Sequence, residues 1–341
     1  MVLIAVDPHK SVHAVVALDA GGRVIAERRF AASAPEQLLA WAQRWDERRW
    51  AIEGARGMGH PLGQWLVRAG ETVHDVPAKL SARVRALNGL NSKTDAVDAR
   101  SVADVARYRG ERLTRVRPED ERAVLALLSR RRDQLNDQRT LVLGQLHELL
   151  RELGVAPARE LSARSAARAC DACEPASSAD AERLAQARVL REDLERLDAR
   201  LTENERECAR RVAEAKSALV RIVGIGAVGA ATILGRVGTL SRFPSRHAFA
   251  RHNGTAPLDA SSGDTVRHRL NRGGDRRLNV VLHIAAVTQM RIKHCSGHAY
   301  YQRKRAQGKT HREALRCLKR RISDASFRAL REDEARLALT A

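Results

Sequence analysis

The sequence predicts an α/β domain followed by a mainly all-α remainder, and three observations carry that prediction. Short apolar strands alternate with helical stretches over the first ~110 residues, which suits one α/β domain. Leucines then recur at heptad spacing through the following segment, the signature of packed amphipathic helices. The last part opens on a dense run of glycines and closes on a basic helical tail, 278–331. At 341 residues the chain is long enough for two or three packed units, and 44% hydrophobic residues supply a real core. The expected domains are residues 1–112, 113–217 and 218–332.

In the first domain, residues 2–7 read as a short buried strand that runs into Asp7. Residues 12–18 and 23–30 alternate in polarity around Asp19-Ala20-Gly21-Gly22, a turn sequence, so a hairpin is expected. Ala34 to Trp45 has helical spacing. Trp50-Ala51-Ile52-Glu53 is another short strand, ending in a glycine-rich turn. Leu62 to Ala69 reads as a helix and Val73-His74-Asp75-Val76 as a strand, and from Thr94 the pattern is helical.

The stretch Asn91-Ser92-Lys93-Thr94-Asp95-Ala96-Val97-Asp98-Ala99 is the strongest local signal. Ser92 or Thr94 can cap a helix, which puts Asp95 and Asp98 in its first turns, three residues apart on one face. Two carboxylates there either favour the positive helix N-terminus or share a cation. Asp7 and Glu53 each end a strand, and strands ending on one edge would bring both to that helix. Four oxygen ligands around one or two Mg²⁺ (or Mn²⁺) ions are what phosphoryl transfer on DNA requires.

In the second domain Leu128, Leu135, Val142 and Leu149 recur every seven residues, with Leu125, Leu146 and Leu153 as companions and Arg132 and Arg139 interrupting the seam. A loop rich in Ala, Ser and Pro comes next, roughly 155–179. Leu190, Leu194, Leu197, Leu201 and Cys208 then repeat the pattern. The spacing predicts a helical hairpin or an intersubunit coiled coil, and does not separate the two. Cys170 and Cys173 form a lone Cys-x-x-Cys without a second ligand pair, although His294, Cys295 and His298 cluster downstream. Free thiols are the expectation there.

The third domain begins at Arg221-Ile222-Val223-Gly224-Ile225-Gly226-Ala227-Val228-Gly229. Gly224 and Gly226 fit a helix-hairpin-helix turn whose backbone N–H groups approach a phosphate, and close helix packing explains the glycines nearly as well. In the polar loop 253–276, Asp259-Ala260-Ser261-Ser262-Gly263 is followed by Arg267, Arg269, Arg272, Arg276 and Arg277. By composition a Ser-Ser-Gly is a turn. The arginines mark a place for a phosphate, and a serine hydroxyl held against a phosphate can attack it.

Charge narrows the partner. Against 41 Asp+Glu stand 61 Lys+Arg, a formal net charge of +20 with a pI near 10.9, which favours nucleic acid. Aromatics are only 3%, so base stacking cannot be the main device and arginine–phosphate contacts must dominate. The basic residues are spread along the chain, not gathered on one amphipathic helix, which argues against a membrane surface. No apolar run is long enough to span a bilayer, and the opening Met1-Val2-Leu3-Ile4-Ala5-Val6-Asp7 is no secretory signal. Five scattered cysteines suit a reducing cytoplasm, and the expected location is bacterial, cytoplasmic and associated with the nucleoid.

These residues resemble a known family over nearly the whole length: the DEDD-type insertion-sequence transposases, also described as bridge-RNA-guided recombinases. The N-terminal matches are Val6-Asp7-Pro8-His9-Lys10, Ile52-Glu53-Gly54 and Lys93-Thr94-Asp95-Ala96-Val97-Asp98-Ala99. They imply a RuvC-like, ribonuclease-H-like domain in which Asp7, Glu53, Asp95 and Asp98 are the metal ligands. The C-terminal matches are Val223-Gly224-Ile225-Gly226, Phe243-Pro244-Ser245, Pro257, Ser261-Ser262-Gly263 and Arg272-Gly273-Gly274-Asp275. The family's nucleophile is the serine directly before glycine, which implies Ser262; Ser261 beside it is a second hydroxyl. The chain departs from the pattern at Gly254-Thr255-Ala256-Pro257, Gly274-Asp275 and Leu278-Asn279.

The resemblance implies a transposase that joins donor and target DNA through a 5′-phosphoserine link. It further implies a structured noncoding guide RNA and a homo-oligomer, dimer or tetramer, held by the helical middle. The rival expectations are a RuvC-like, structure-specific DNA endonuclease that uses metal-activated water and leaves Ser262 idle, and a nonenzymatic nucleic-acid-binding protein, which would need neither constellation.

Overall fold

The computed structural model describes residues 1–87, 94–155, 161–259, 268–269, 271 and 273–340. For Asp95, Glu111, Asp259, His268, Arg269 and Thr340 it describes the backbone alone. The chain divides into two compact units, Met1–Glu119 and Asp120–Ala341.

The first unit is a six-stranded sheet with helices on both faces. Its strands are β1 (Val2–Pro8), β2 (Val12–Leu18), β3 (Val24–Ala31), β4 (Arg48–Glu53), β5 (Val73–Val76) and β6 (Thr114–Arg115), in the order β3-β2-β1-β4-β5-β6. β1 to β3 form an antiparallel meander, β4 and β5 continue it in parallel, and β6 closes the edge antiparallel. A central acidic first strand flanked by a meander on one side and parallel strands on the other is the ribonuclease-H-like arrangement.

The near-continuous apolar runs of β1 and β2 reflect burial on both faces. On one side Ile4, Val6, Val15 and Ile52 pack with Leu38 and Trp41 of α1 (Pro35–Ala42) and Leu62 and Leu66 of α2 (His60–Arg68). On the other, Leu3, Ala5, Ala14 and Val16 meet Ala99, Val102 and Ala106 of α4 (Asp95–Arg109). Each fully buried Leu, Ile or Val contributes roughly 1.5–3 kcal/mol. β3 is an edge strand and carries Glu27, Arg28 and Arg29, charges that discourage pairing with another chain.

Before α4 the chain forms α3 (Ala78–Leu87), a helix that the sequence reading did not place. Ser81 is its one fully buried residue, and Leu80 and Val84 pack half-buried on the core shared with α4, so its apolar stripe is short.

The second unit is built on two long helices, α5 (Glu121–Glu152) and α7 (Ser178–Glu214). Arg211 of α7 pairs with Glu121 and Arg183 with Glu152, so the helices run antiparallel. The heptad seams therefore close within one chain. Leu146, Leu150, Leu184, Ala187 and Leu194 bury the distal part of the contact. The two arginines that interrupt the leucine seam face α7: Arg132 reaches the Leu201 carbonyl and Glu205, and Arg139 lies 2.6 Å from Asp198.

The Ala/Ser/Pro-rich connection contains α6 (Ala163–Asp171), started by a capping box between Ser162 and Ser165. Cys170 is buried on it, its thiol pushed up by burial, and both Cys170 and Cys173 are free.

The C-terminal helices are α8 (Ala227–Val237), α9 (Arg246–His252), α10 (Arg276–Arg291), α11 (Ser296–Ala306) and α12 (His311–Thr340). They share one core with Leu125, Cys208 and Val212 of the long helices. Gly235 lets α8 touch the α5 backbone: a Cβ there would lie 2.4 Å from the Ala126 nitrogen. Among the described residues no helix is long and apolar enough to cross a membrane.

Candidate active site

In the N-terminal unit, three of the four predicted carboxylates come together. β1 and β4 run parallel with Val6 opposite Ile52, so Asp7 and Glu53 come next, side by side, at the end of the register. The two side chains share a hydrogen bond. The turn after β4 holds Glu53 in place. Gly54 adopts a positive φ of 55° and reverses the chain at once, and Ala55 N–H donates to Asp75 of β5 at 2.9 Å. Gly59 is pressed so close that a Cβ would sit 2.8 Å from the Glu53 carbonyl.

The third carboxylate comes from α4. Of the two capping candidates, Ser92 and Thr94, it is Thr94 that caps this helix, accepting from the Val97 N–H. Val102 and Ala99 anchor the helix on the sheet, which buries Asp98 to 8% exposure and brings its charge to bear on Asp7. Asp95 starts the same helix; its side chain lies outside the described residues.

Four further side chains complete the cluster, and of these only His9 falls in a motif that the sequence singles out. Ser81 of α3 donates to Glu53. Arg85, one turn further along α3, forms an ion pair with Asp98. His9 Nε2 lies 3.2 Å from Asp7. His13 of β2, at 6% exposure, keeps Nδ1 without a hydrogen-bond partner among the described residues, and burial together with the charge of His9 pushes its pKa down. Periodicity could have found none of them. The only available signal was the Asp-Pro-His of β1.

Burial, followed by the opposing pull of His9 and the repulsion of Glu53 and Asp98, leaves Asp7 raised from 3.8 to about 6. Protonated Asp7 therefore stabilises the fold fully below about pH 4, and that contribution is lost as pH rises through about 6. The difference corresponds to roughly 3 kcal/mol. Asp7→Asn, neutral at every pH, should melt several degrees above the parent at pH 8 in EDTA, with the gap gone at pH 4. Thermal melts across that range check it; a gap independent of pH would show that Asp7 carries no such strain.

Among the described residues no three His, Cys, Asp or Glu side chains form a ready metal cage. What the cluster offers is a set of carboxylate oxygens, the donors that suit a hard divalent cation, crowded enough that Asp7 resists ionisation.

The second predicted site falls in the C-terminal unit. β7 (Leu258–Asp259) pairs antiparallel with β8 (His268–Arg269), and residues 260–267 join them. Ser261, Ser262, Gly263, Arg267 and Arg272 lie outside the described residues, as does the Arg269 side chain.

The base of the hairpin is described and closely tied. Gly274 packs against Gly254, where a Cβ would lie 2.3 Å from the backbone nitrogen, and Asp275 N–H donates to the His252 carbonyl at 2.6 Å. Below it runs a buried polar chain. Lys319 Nζ donates to Asn279 Oδ1 at 2.6 Å, Asn279 donates to the Asn253 carbonyl, and Asn253 donates to Ser323 at 2.8 Å. Burial pushes the Lys319 ammonium pKa down. This network, too, joins residues remote in sequence.

The remaining candidates divide. Arg276 is exposed at the start of α10. Arg277 Nε lies 3.0 Å from Asp133. Gly224, at φ 84°, abuts α10, a Cβ there meeting the Ala285 Cα at 2.8 Å; Gly226 sits in open space as the N-cap of α8. Close packing thus accounts for Gly224.

The strand order, with Asp7 and Glu53 at the ends of β1 and β4 and Asp98 on α4, is that of a ribonuclease-H-like fold. Residues 4–155 match a family model described as a transposase, and residues 216–302 match that of the transposase IS116/IS110/IS902 family. The chain belongs to this family of insertion-sequence transposases.

Among its relatives is the 44.8 kDa protein of insertion element IS116 from Streptomyces clavuligerus, 27% identical across 96% of this chain and 94% of that protein. The 42 kDa protein of IS900 from Mycobacterium paratuberculosis is 27% identical over 83% of this chain and 82% of its own length. The 43.6 kDa protein of IS110 from Streptomyces coelicolor is 36% identical over 33% of this chain and 28% of its own. T. thermophilus RuvC, in a complex with a Holliday junction substrate, aligns with 34% of this chain and 99% of its own at 13% identity, with a TM-score of 0.27.

Proposed function

We propose that this transposase cuts and rejoins DNA strands through a covalent serine–phosphate link, using Asp7, Glu53, Asp95 and Asp98 to hold Mg²⁺ or Mn²⁺. The observation that carries the proposal is the meeting of Asp7, Glu53 and Asp98 at one edge of the sheet, in a chain matched at both ends by transposase models. A bound divalent ion would supply Lewis-acid polarisation of the scissile phosphate.

The protein's own groups do the rest. His9 and Arg85 now face Asp7 and Asp98, and both can turn outward, being 45% and 30% exposed. Ser81 orients Glu53. Ser262 Oγ attacks phosphorus in line; the Ser Oγ–P bond forms as the P–O3′ bond breaks, and the hydroxyl proton ends on the departing 3′ oxygen. The phosphoserine conserves the energy of the broken bond, so a different 3′ hydroxyl can reverse the step without ATP. The arginines around the hairpin, with Arg276 exposed at its foot, hold the flanking phosphates. Leu141 and Val189, exposed on the outside of the long hairpin at 63% and 56%, offer apolar surface to a second copy, dimer or tetramer.

Sequence choice falls to a structured guide RNA. A net charge of +20 with 3% aromatics holds phosphates strongly but reads bases poorly, and base pairing supplies the missing readout. Protein purified from cells that carry the flanking DNA of its element should bring one RNA species with it. Recombination should lose its site preference after RNase treatment and recover when that RNA is returned. Site-selective joining by the RNA-free protein would show that it reads DNA itself.

A further inference from the structure

We infer that α11 and α12 carry a binding surface for the phosphate backbone of duplex DNA, centred on Tyr300, Arg303, Lys304 and Arg321; this rests on the DNA-joining function proposed above. The Arg303 and Arg321 guanidinium carbons lie 5.1 and 5.0 Å from the centre of the Tyr300 ring, and Lys304 Nζ lies 5.7 Å from it. Three cations from two helices thus converge on one ring, with Arg303 and Arg321 exposed.

From Arg291 to Arg331 the only carboxylates are Glu313 and Asp324. Among the described residues of this stretch, both carboxylates are already engaged. Glu313 accepts from the Thr310 N–H and hydroxyl at 2.9 and 2.8 Å, and Asp324 pairs with Arg320 at 3.1 Å. Cations held this close repel one another, and an anion between them removes the repulsion. A phosphate matches the guanidinium fork, which can meet two of its oxygens at once.

The ring itself favours duplex over single strand. Three cations crowd the ring within 5.7 Å of its centre, which hinders a base from stacking on it, and stacking is how single strands are usually held. Tyr301, Leu315, Leu318 and Ile322 set α11 and α12 in the same core as Leu278 and Leu282 of α10, the helix that Asp275 caps at the base of the serine hairpin. DNA held at the hairpin and DNA held at Tyr300 would therefore rest on one packed body.

The test is fluorescence anisotropy of the full chain with a labelled duplex DNA and a labelled single-stranded RNA over a salt series. The double variant Arg303→Gln, Arg321→Gln should bind duplex about tenfold or more weakly, with the log–log salt slope shallower by about 1.8, ~0.9 per lost phosphate contact. Arg303→Lys, which keeps the charge, should retain most of the slope. Arg210→Gln is the control; it removes an exposed arginine paired with Glu207 and Glu214 on α7. Melting curves identify any variant that fails to fold, and the single variant Arg303→Gln, with an expected slope change of about 0.9, then decides. An unchanged slope and affinity for duplex, or a change confined to RNA, overturns this surface. A parent protein that does not bind duplex DNA overturns the DNA-joining reading as well.

Discussion

Asp98→Ala should abolish metal-dependent strand cleavage while the protein still folds and still holds DNA. Asp98 is 8% exposed, fixed on α4 by the Val102 and Ala99 contacts with the sheet, and close enough to Asp7 to raise its pKa. Loss of one ligand from a shared divalent-ion site should slow cleavage by at least roughly a thousandfold, about 4 kcal/mol of barrier. Stability should change little, because removing Asp98 relieves repulsion on Asp7 while Arg85, 30% exposed, can turn to water. Asp98→Asn keeps the shape and should fail equally, which separates loss of charge from a cavity. The assay is nicking of labelled duplex by purified protein with Mg²⁺, with anisotropy to confirm retention. A variant that cuts at the parent rate would remove Asp98 from the ligand set.

Ser262→Ala should leave no covalent protein–DNA product at all, a loss as large as that of Asp98→Ala and of a different kind. Methyl cannot form the ester, and no residual rate is expected from binding alone, since the product itself contains the missing oxygen. Ser261→Ala, one residue away in the same connection between β7 and β8, should retain adduct. Both variants should keep the hairpin base, whose described ties run through Gly254, Gly274, Asp275 and Asn253. Denaturing gels with end-labelled DNA show the adduct as a retarded band. An adduct that persists in Ser262→Ala and vanishes in Ser261→Ala would move the nucleophile by one position.

Much of this fold was legible, and the gaps have physical causes. The alternation of residues 12–18 and 23–30 around the Asp19–Gly22 turn announced the hairpin of β2 and β3, and Gly22 takes the positive φ of 87° that the turn needs. Thr94 announced α4, and the heptad leucines announced α5 and α7. Whether those seams closed within the chain was not legible, because heptad spacing is indifferent to which chain supplies the partner. Arg132 and Arg139, which looked like interruptions, find Glu205 and Asp198 only after the chain has turned back on itself.

α3 was missed because its stripe is short: Leu80 and Val84 are only half-buried, among charged neighbours, and Ser81 is the one fully buried residue. That helix brings Ser81 and Arg85 to the carboxylates, so part of the site arrived on an element with a weak sequence signal. The acidic residues themselves could be read from strand ends and a capped helix. Their second layer, and the Lys319–Asn279–Asn253–Ser323 chain under the serine hairpin, depend on contacts between residues far apart in sequence.

The most direct test of the serine mechanism is to incubate the parent protein with end-labelled donor DNA and its co-purified RNA, in Mg²⁺ and in EDTA, and resolve the products under denaturing conditions. A serine nucleophile predicts a Mg²⁺-dependent covalent protein–DNA species, with 5′ phosphate attached to Ser262 in the digested peptide and a free 3′ hydroxyl on the released strand. Mg²⁺-dependent nicks with free 5′ phosphates and no protein attached at any time point would contradict it, and would assign the carboxylate cluster to a nuclease that uses water.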